Sequence, residues 1–136
     1  MKILACVKLV PDSAANVTVE DGQVTWGDAK MVINPWDEYA VEVGLQQMEA
    51  HGGDVIALTM GKADATEALK HALAMGAKEA ILVSDPALAV TDSVGAAHVL
   101  AAAICKAGEV DMVVFGKQSI DSDSGVTPAQ TGRVLG

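Results

Sequence analysis

Aromatic side chains are almost missing from this chain, whose 136 residues include one Phe, one Tyr and two Trp. Since 51% of the residues are nonetheless hydrophobic, the core has to be built from aliphatic side chains and alanine. Cysteine is scarce too. Cys6 and Cys105 lie far apart and form no Cys-x-x-Cys pair, so reduced, buried thiols and a cytoplasmic location are expected. Basic residues are in short supply, nine against eighteen acidic ones, for a net charge of −9. That field repels a polyanion and argues against nucleic-acid binding, although a helix end and one or two lysines can reverse it locally for a mononucleotide. No apolar run approaches the ~20 residues needed to cross a bilayer, so no membrane insertion is expected. The opening segment before Lys8 is too short for the apolar region of a signal peptide.

Chemical motifs are absent as well. No Gly-x-Gly-x-x-Gly follows the first apolar run and no Gly-x4-Gly-Lys-Ser/Thr occurs, which leaves ordinary dinucleotide and P-loop sites unsupported. His51, His71 and His98 are scattered without ligand spacing and read as solvated or capping residues. No Ser/His/Asp or Cys/His nucleophile set can be assembled, so the chain is expected to bind something without transforming it.

What is present is a regular alternation. Residues 2–8, 54–60, 79–83 and 111–115 are aliphatic runs of the kind expected for strands buried on both faces. Between them, residues 35–50 align Val41, Leu45 and Met48 on one helical stripe. Residues 64–75 align Ala65, Leu69, Ala72 and Met75, and residues 92–106 align Val94, Ala97, Ala101 and Ile104. The alternation predicts one α/β domain over 1–136, a Rossmann-like parallel sheet with helices on both faces. Between Lys8 and Asn34 lies a segment too long for an ordinary strand-to-helix connection. Val17–Val19 and Val24–Trp26 flank Asp21-Gly22 there, predicting a small hairpin inserted after strand one, either a lid or partner contact at the ligand edge or a surface ornament. The helix begun near Thr127 has barely two turns before Gly136, which reads as a domain cut before its last strand.

Residues 113–127 are the richest stretch: an apolar strand empties into a polar loop that runs into a helix start. In a parallel sheet this places the amide of Gln118, the carboxylates of Asp121 and Asp123 and the hydroxyls of Ser122 and Ser124 at the carboxyl edge, where ligands bind. Thr127 suits a helix cap, Pro128 the first position, and Gln130 completes a capping box. A helix start presents free N–H groups and a partial positive charge, which favour phosphate or another anion. Asp121 and Asp123 are either a pair for acid–base or Mg²⁺ work or partners for ribose hydroxyls and backbone turns; without a nucleophile nearby the second reading is preferred. Asn34-Pro35-Trp36-Asp37-Glu38 forms a second helix start, with Asn34 as cap and acidic residues at the positive end. If it faces the same edge, Trp36 is placed to cover an adenine or a ribose. Met60 ends the second strand, and Lys8 and Lys117 end two others, where either can offset phosphate charge or simply snorkel.

On these residues the chain resembles the β subunit of electron transfer flavoprotein. The resemblance runs in register through Cys6-Val7-Lys8, Val10-Pro11-Asp12, Asn34-Pro35-Trp36-Asp37-Glu38-Tyr39-Ala40-Val41-Glu42, Ala72-Leu73-Ala74-Met75-Gly76-Ala77 and Gly116-Lys117-Gln118-Ser119-Ile120-Asp121. It implies an adenine-nucleotide α-hydrolase-like fold and a heterodimer whose α subunit holds a redox-active FAD, while the β subunit buries a structural AMP. Electrons would pass from acyl-CoA and related dehydrogenases of fatty acid oxidation to a membrane quinone oxidoreductase. In bifurcating members a second FAD takes the AMP site. Carried over, the cofactor-binding residues are Cys6, Asn34, Pro35, Trp36, Asp37 and Met60, with Gln118 and the run Asp121, Ser122, Asp123, Ser124, Gly125, Val126 and Thr127. AMP-binding members often carry Asn where this chain has Gly125. Bifurcating members tend to have Val-Gly-Pro-Gln where Thr127-Pro128-Ala129-Gln130 stands, and Thr127 matches the AMP type. The rival of another class is an ATP-binding regulator like the universal stress proteins. Gly116, Gly125 and Gly132 have the wrong spacing for that family's phosphate loop.

Overall fold

The computed structural model describes residues 1–89 and 91–136. Its elements run β1 (Lys2–Cys6), β2 (Leu9–Pro11), β3 (Thr18–Glu20), β4 (Gln23–Thr25), β5 (Met31–Ile33), α1 (Pro35–His51), β6 (Asp54–Met60), α2 (Thr66–Met75), β7 (Glu79–Val83), α3 (Ser93–Lys106), β8 (Met112–Phe115) and α4 (Thr127–Leu135). Short 3-10 turns occupy Ala63–Ala65 and Pro86–Leu88.

Four strands form one parallel sheet in the order β7-β6-β1-β8. Residues alternate across it, because successive side chains of a strand point to opposite faces. Ile3, Ala5, Val55 and Ala57 pack on Val41 and Leu45 of α1 and on Ala68, Leu69 and Ala72 of α2. Leu4, Cys6, Ile56 and Leu58 face the other way, onto Leu100 and Ile104 of α3. Helices therefore cover both faces, as expected of a Rossmann-like α/β domain. Each fully buried Ile, Leu or Val in this core contributes about 1.5–3 kcal/mol.

Several details differ from the sequence expectations. Only β1 and β6 are buried on both faces; β7 and β8 are the outer strands of the sheet, and Glu79 and Ala80 are exposed. The first strand stops at Cys6, before the expected Lys8, after which Val7 N–H still donates to the Leu58 carbonyl at 2.8 Å. Val94 is exposed on α3 and Leu100 takes its place in the core. Cys105 is exposed, at a solvent-facing position of α3. His71 is exposed as expected but pairs with Glu38 at 2.9 Å.

The inserted hairpin is β3 paired antiparallel with β4. Asp21 and Gly22 at its tip have φ of 50° and 76°, the two left-handed positions that a tight two-residue turn demands. Its β-strands stand in solvent. β2 and β5, on either side of it in the chain, form a second antiparallel ribbon, anchored by Val10 and Ile33 in the core, which no pattern in the sequence had announced.

Candidate functional site

Strand order reverses between β1 and β8: from β1 the chain steps outward through β6 to β7, then returns to the opposite side of β1. Ligands of open α/β sheets bind beyond the carboxyl ends of the strands at such a point. A cavity of about 480 Å³ opens there, within the range of small-molecule sites. Cys6, Met60, Leu100 and Phe115 give it an apolar floor, and Ser119, Ser122, Ser124, Gly125 and Thr127 a polar rim. A further wall comes from the start of α3, through Thr91, Asp92, Ser93 and Ala96. Burial, helped by the nearby Asp37 carboxylate, pushes the Cys6 thiol far above its ordinary range, so it lines the cavity as a small protonated group.

The first turn of α1 shapes the cavity from below. Asn34 and Asp37 are 1% and 7% exposed, rare values for such polar side chains unless they are paired. Asn34 does not cap α1 with its side chain as the sequence suggests. Its Nδ2 donates to the Gln118 carbonyl at 2.8 Å, and its Oδ1 accepts from Ile120 N–H at 3.1 Å. The amide is thus spent on the loop after β8. Asp37 Oδ2 accepts from Lys8 N–H at 2.8 Å, and Gly116 N–H also donates to its carboxylate. Burial pushes the Asp37 carboxyl up to about 6, against the pull of the groups donated by Asn34, Lys8 and Gly116. Gly116 has no room for a side chain, since a Cβ there would stand 2.2 Å from Asp37 Oδ1 and 2.7 Å from the Trp36 carbonyl carbon.

The loop itself is cross-braced. Lys8 Nζ donates to both oxygens of Asp121, at 2.8 and 2.7 Å, and lies 3.4 Å from Ser119 Oγ. Although burial alone would raise it, hydrogen bonds from Lys8 and Ser119 and the Lys8 charge hold the Asp121 carboxyl below its usual value. Ser119 and Ser122 share a hydroxyl hydrogen bond of 2.8 Å, and Gln118 Nε2 donates to Asp123 Oδ1. Asp123 and Gly125 adopt φ of 57° and 63°, which folds the loop back toward α4. The expected capping box is not formed: Val126 is the cap residue, Thr127 is already helical, and the buried Oε1 of Gln130 has no partner. Pro128 in the first turn fixes the helix start, and the Thr127 side chain is left to the cavity.

Residues 22–135 match the family model of the electron transfer flavoprotein domain. The chain belongs to that family. It is 36% identical over 137 residues to the electron transfer flavoprotein subunit beta of Clostridium acetobutylicum, covering 100% of this chain and 52% of that one. It is 38% identical over 137 residues to the caffeyl-CoA reductase-Etf complex subunit CarD of Acetobacterium woodii, covering 99% and 52%. Protein FixA of Azorhizobium caulinodans is 38% identical over 135 residues, covering 91% and 46%. The chain spans about half the length of the curated relatives it matches. Membership sets aside the likeness to universal stress proteins.

Within this electron transfer flavoprotein domain, Cys6, Asn34, Asp37, Met60, Gln118, Ser122, Ser124, Gly125 and Thr127 come together around the cavity. Pro35, Trp36, Asp121, Asp123 and Val126 do not line it. Asp121 and Asp123 are turned to Lys8 and Gln118, which rules out a free carboxylate pair. Trp36 does not overhang the cavity; it lies in a separate groove with Tyr39, Val43 and Val114, 6.2 Å from the Tyr39 ring. Lys117 sits 5.7 Å over the Trp36 ring, a cation–π distance, and so faces away from the cavity. No residue of the hairpin lines the cavity, so it is no lid in this conformation. The α3 wall was missed. Asp92 with Gly95 three residues on is a readable cap, and Asp92 Oδ1 does accept Gly95 N–H at 2.8 Å. Nothing local in the sequence says that this helix start shares an edge with β8.

Proposed function

We propose that this chain is the nucleotide-binding domain of a β-type electron transfer flavoprotein subunit, non-catalytic in itself, whose cavity at the β1/β8 reversal holds AMP as a structural group. The observation that carries the reading is the coincidence of that cavity with the loop at residues 116–127, in a chain of this family. The residues fit the group. The apolar floor suits a purine, the serine hydroxyls of the rim suit a ribose, and the first turn of α4, with no side-chain cap, suits an anion. AMP supplies no redox chemistry. The chain's residues bind and orient it and exclude water, while electron transfer belongs to an FAD in a partner α subunit. Acyl-CoA and related dehydrogenases would be the electron donors and a membrane quinone oxidoreductase the acceptor, in the cytoplasm. No helix among the described residues is long and apolar enough to cross a membrane.

A second reading is favoured by one observation. The α3 wall extends the cavity past the residues that the AMP reading uses, which leaves space for a larger adenine nucleotide such as a second FAD in a bifurcating complex. Mass spectrometry of the nucleotides released from the full-length protein with its partner decides. One AMP and one FAD per heterodimer is the expected result. Two FAD and no AMP replaces the first reading by the second, and ATP with no flavin-bearing partner overturns both.

A further inference from the structure

The nucleotide-binding loop is held by its own chain at three heights, and every hold leads back to the first turn of α1. At its root, Asp37 takes the N–H groups of Lys8 and Gly116, which stand just past the ends of β1 and β8, the strands flanking the reversal point. Midway, Asn34 grips the Gln118 carbonyl and the Ile120 N–H with one planar amide. At its apex, Asp121 receives the Lys8 ammonium on both oxygens, and the backbone of Lys8 is itself held by Asp37. Asn34 and Asp37 are almost wholly buried, and the apex pair is sheltered on one side only, with side-chain exposures of 46% for Lys8 and 17% for Asp121.

We infer that Asn34, Asp37 and the Lys8–Asp121 pair are positioning residues: together they clamp residues 116–125 into the shape that meets the ligand, and Asp121 acts on the ligand only through Lys8 and the loop. The inference deepens the nucleotide reading of the cavity and rests on it for the ligand, but not for the clamp. Two features of the geometry support it. The polar atoms of Asn34 and Asp121 already have partners within the chain, which leaves the loop's hydroxyls and backbone to face the cavity. The tethers also converge from different sequence regions on one short loop, so losing one frees a segment and not a single contact. An amide that both donates and accepts across a loop cannot be replaced by a carboxylate of the same shape, because the donor to Gln118 is lost and two oxygens are brought face to face.

The test is made on the full-length protein with its partner subunit, following deuterium uptake at the backbone amides of residues 117–125 and the AMP retained after gel filtration. Asn34→Asp is expected to speed exchange in that segment at least tenfold and to lower retained AMP by a similar factor. Unchanged exchange overturns the clamp. Faster exchange with full AMP retention would show that the loop's shape does not govern the ligand and would overturn the inference, whereas unaltered protein that retains no AMP overturns the nucleotide reading and leaves the clamp to the exchange measurement. Should Asn34→Asp not fold, the apex pair serves alone. Lys8→Ala and Asp121→Ala are each expected to lower retention about threefold, the double variant no further than either, and Lys8→Arg to keep it near wild type by restoring a bidentate partner. Losses that multiply in the double variant would show Asp121 touching the ligand independently of Lys8, and would overturn the inference.

Discussion

At the scale of single residues, Asp37 and Gly116 govern the site through clearance and charge. Gly116→Ala would drive a methyl group into the Asp37 carboxylate and the Trp36 backbone, neither of which can retreat. It is expected to cost roughly 3 kcal/mol, in the upper range of overpacking, read from urea unfolding midpoints. Asp37 makes stability depend on pH with a definite sign. Its folded value of about 6 lies above the ordinary 3.8, so the native state holds the proton more tightly than the unfolded chain does. Stability is therefore lost as pH rises from about 4 to 6 and is level above, by up to roughly 3 kcal/mol at 1.36 kcal/mol per unit. Asp121 works in the opposite sense, its stabilisation being lost as pH falls. Subtracting the curve of Asp37→Asn, which lacks the titrating group, from that of the wild type is expected to isolate the fall between pH 4 and 6; parallel curves would refute it. Residue types at both helix starts were legible, but their tasks were not. Asn34 reads as a cap from its neighbours, yet its partners stand 84 and 86 residues away, and no local pattern encodes that distance.

At the scale of elements, the aliphatic runs and helical stripes placed the four strands of the parallel sheet and helices α1 to α3 to within a few residues, because burial periodicity is a local signal, while α4 was placed by Thr127 and Pro128 at its start. What it could not show was which strands end up on the outside: β7 and β8 are as apolar as their neighbours, and only the strand order exposes them. The Asp-Gly tip was equally readable, since two left-handed positions in succession leave few other residue choices. The function of the hairpin depends on where it lies, and it lies clear of the cavity. Replacing Asp21 and Gly22 together by alanine is expected to disorder β3 and β4, to change global stability by less than about 1 kcal/mol, and to leave AMP retention unaltered; solution NMR and the retention assay check the three together. At the start of α4 the rule for caps failed by one residue. Thr127 is helical and free to face the cavity, which is a better place for a ligand contact than a cap would be. Thr127→Val keeps the shape and removes the hydroxyl, and is expected to weaken nucleotide binding by about 1 kcal/mol, or roughly fivefold, in calorimetric titration.

For the molecule as a whole, the absence of phosphate-loop and dinucleotide motifs was as informative as any residue present. It left a cavity built on strand order, and strand order emerges only when the whole chain is folded. The family could be recognised from blocks of residues in register, whereas the boundary of the cavity could not, because α3 follows the outermost strand β7 and reaches the cavity only by packing back over Cys6, Met60 and Phe115. If AMP is structural, its removal should be felt globally. Stripping the nucleotide is expected to lower unfolding stability by about 3 kcal/mol relative to protein held at a hundredfold excess over the dissociation constant, following mass action. A melting temperature independent of added AMP would show that the cavity does not bind it.

The placement of β1 in the middle of the sheet also has a kinetic side. Ile3 pairs with Val55 on one flank and with Met112 on the other, so β1 leaves the ribosome before either of its sheet neighbours and is the later of the two inner strands to be flanked on both sides. At ordinary elongation rates of about 5–20 residues per second, its second edge waits roughly 5–20 s for a partner. Through that interval β1, α1 and β6 can assemble, but the two halves of the cavity at the β1/β8 reversal are not yet in one place. If the cavity takes a nucleotide as proposed, a nascent chain cannot recruit it early as a folding nucleus; the ligand would only seal a sheet that has already closed.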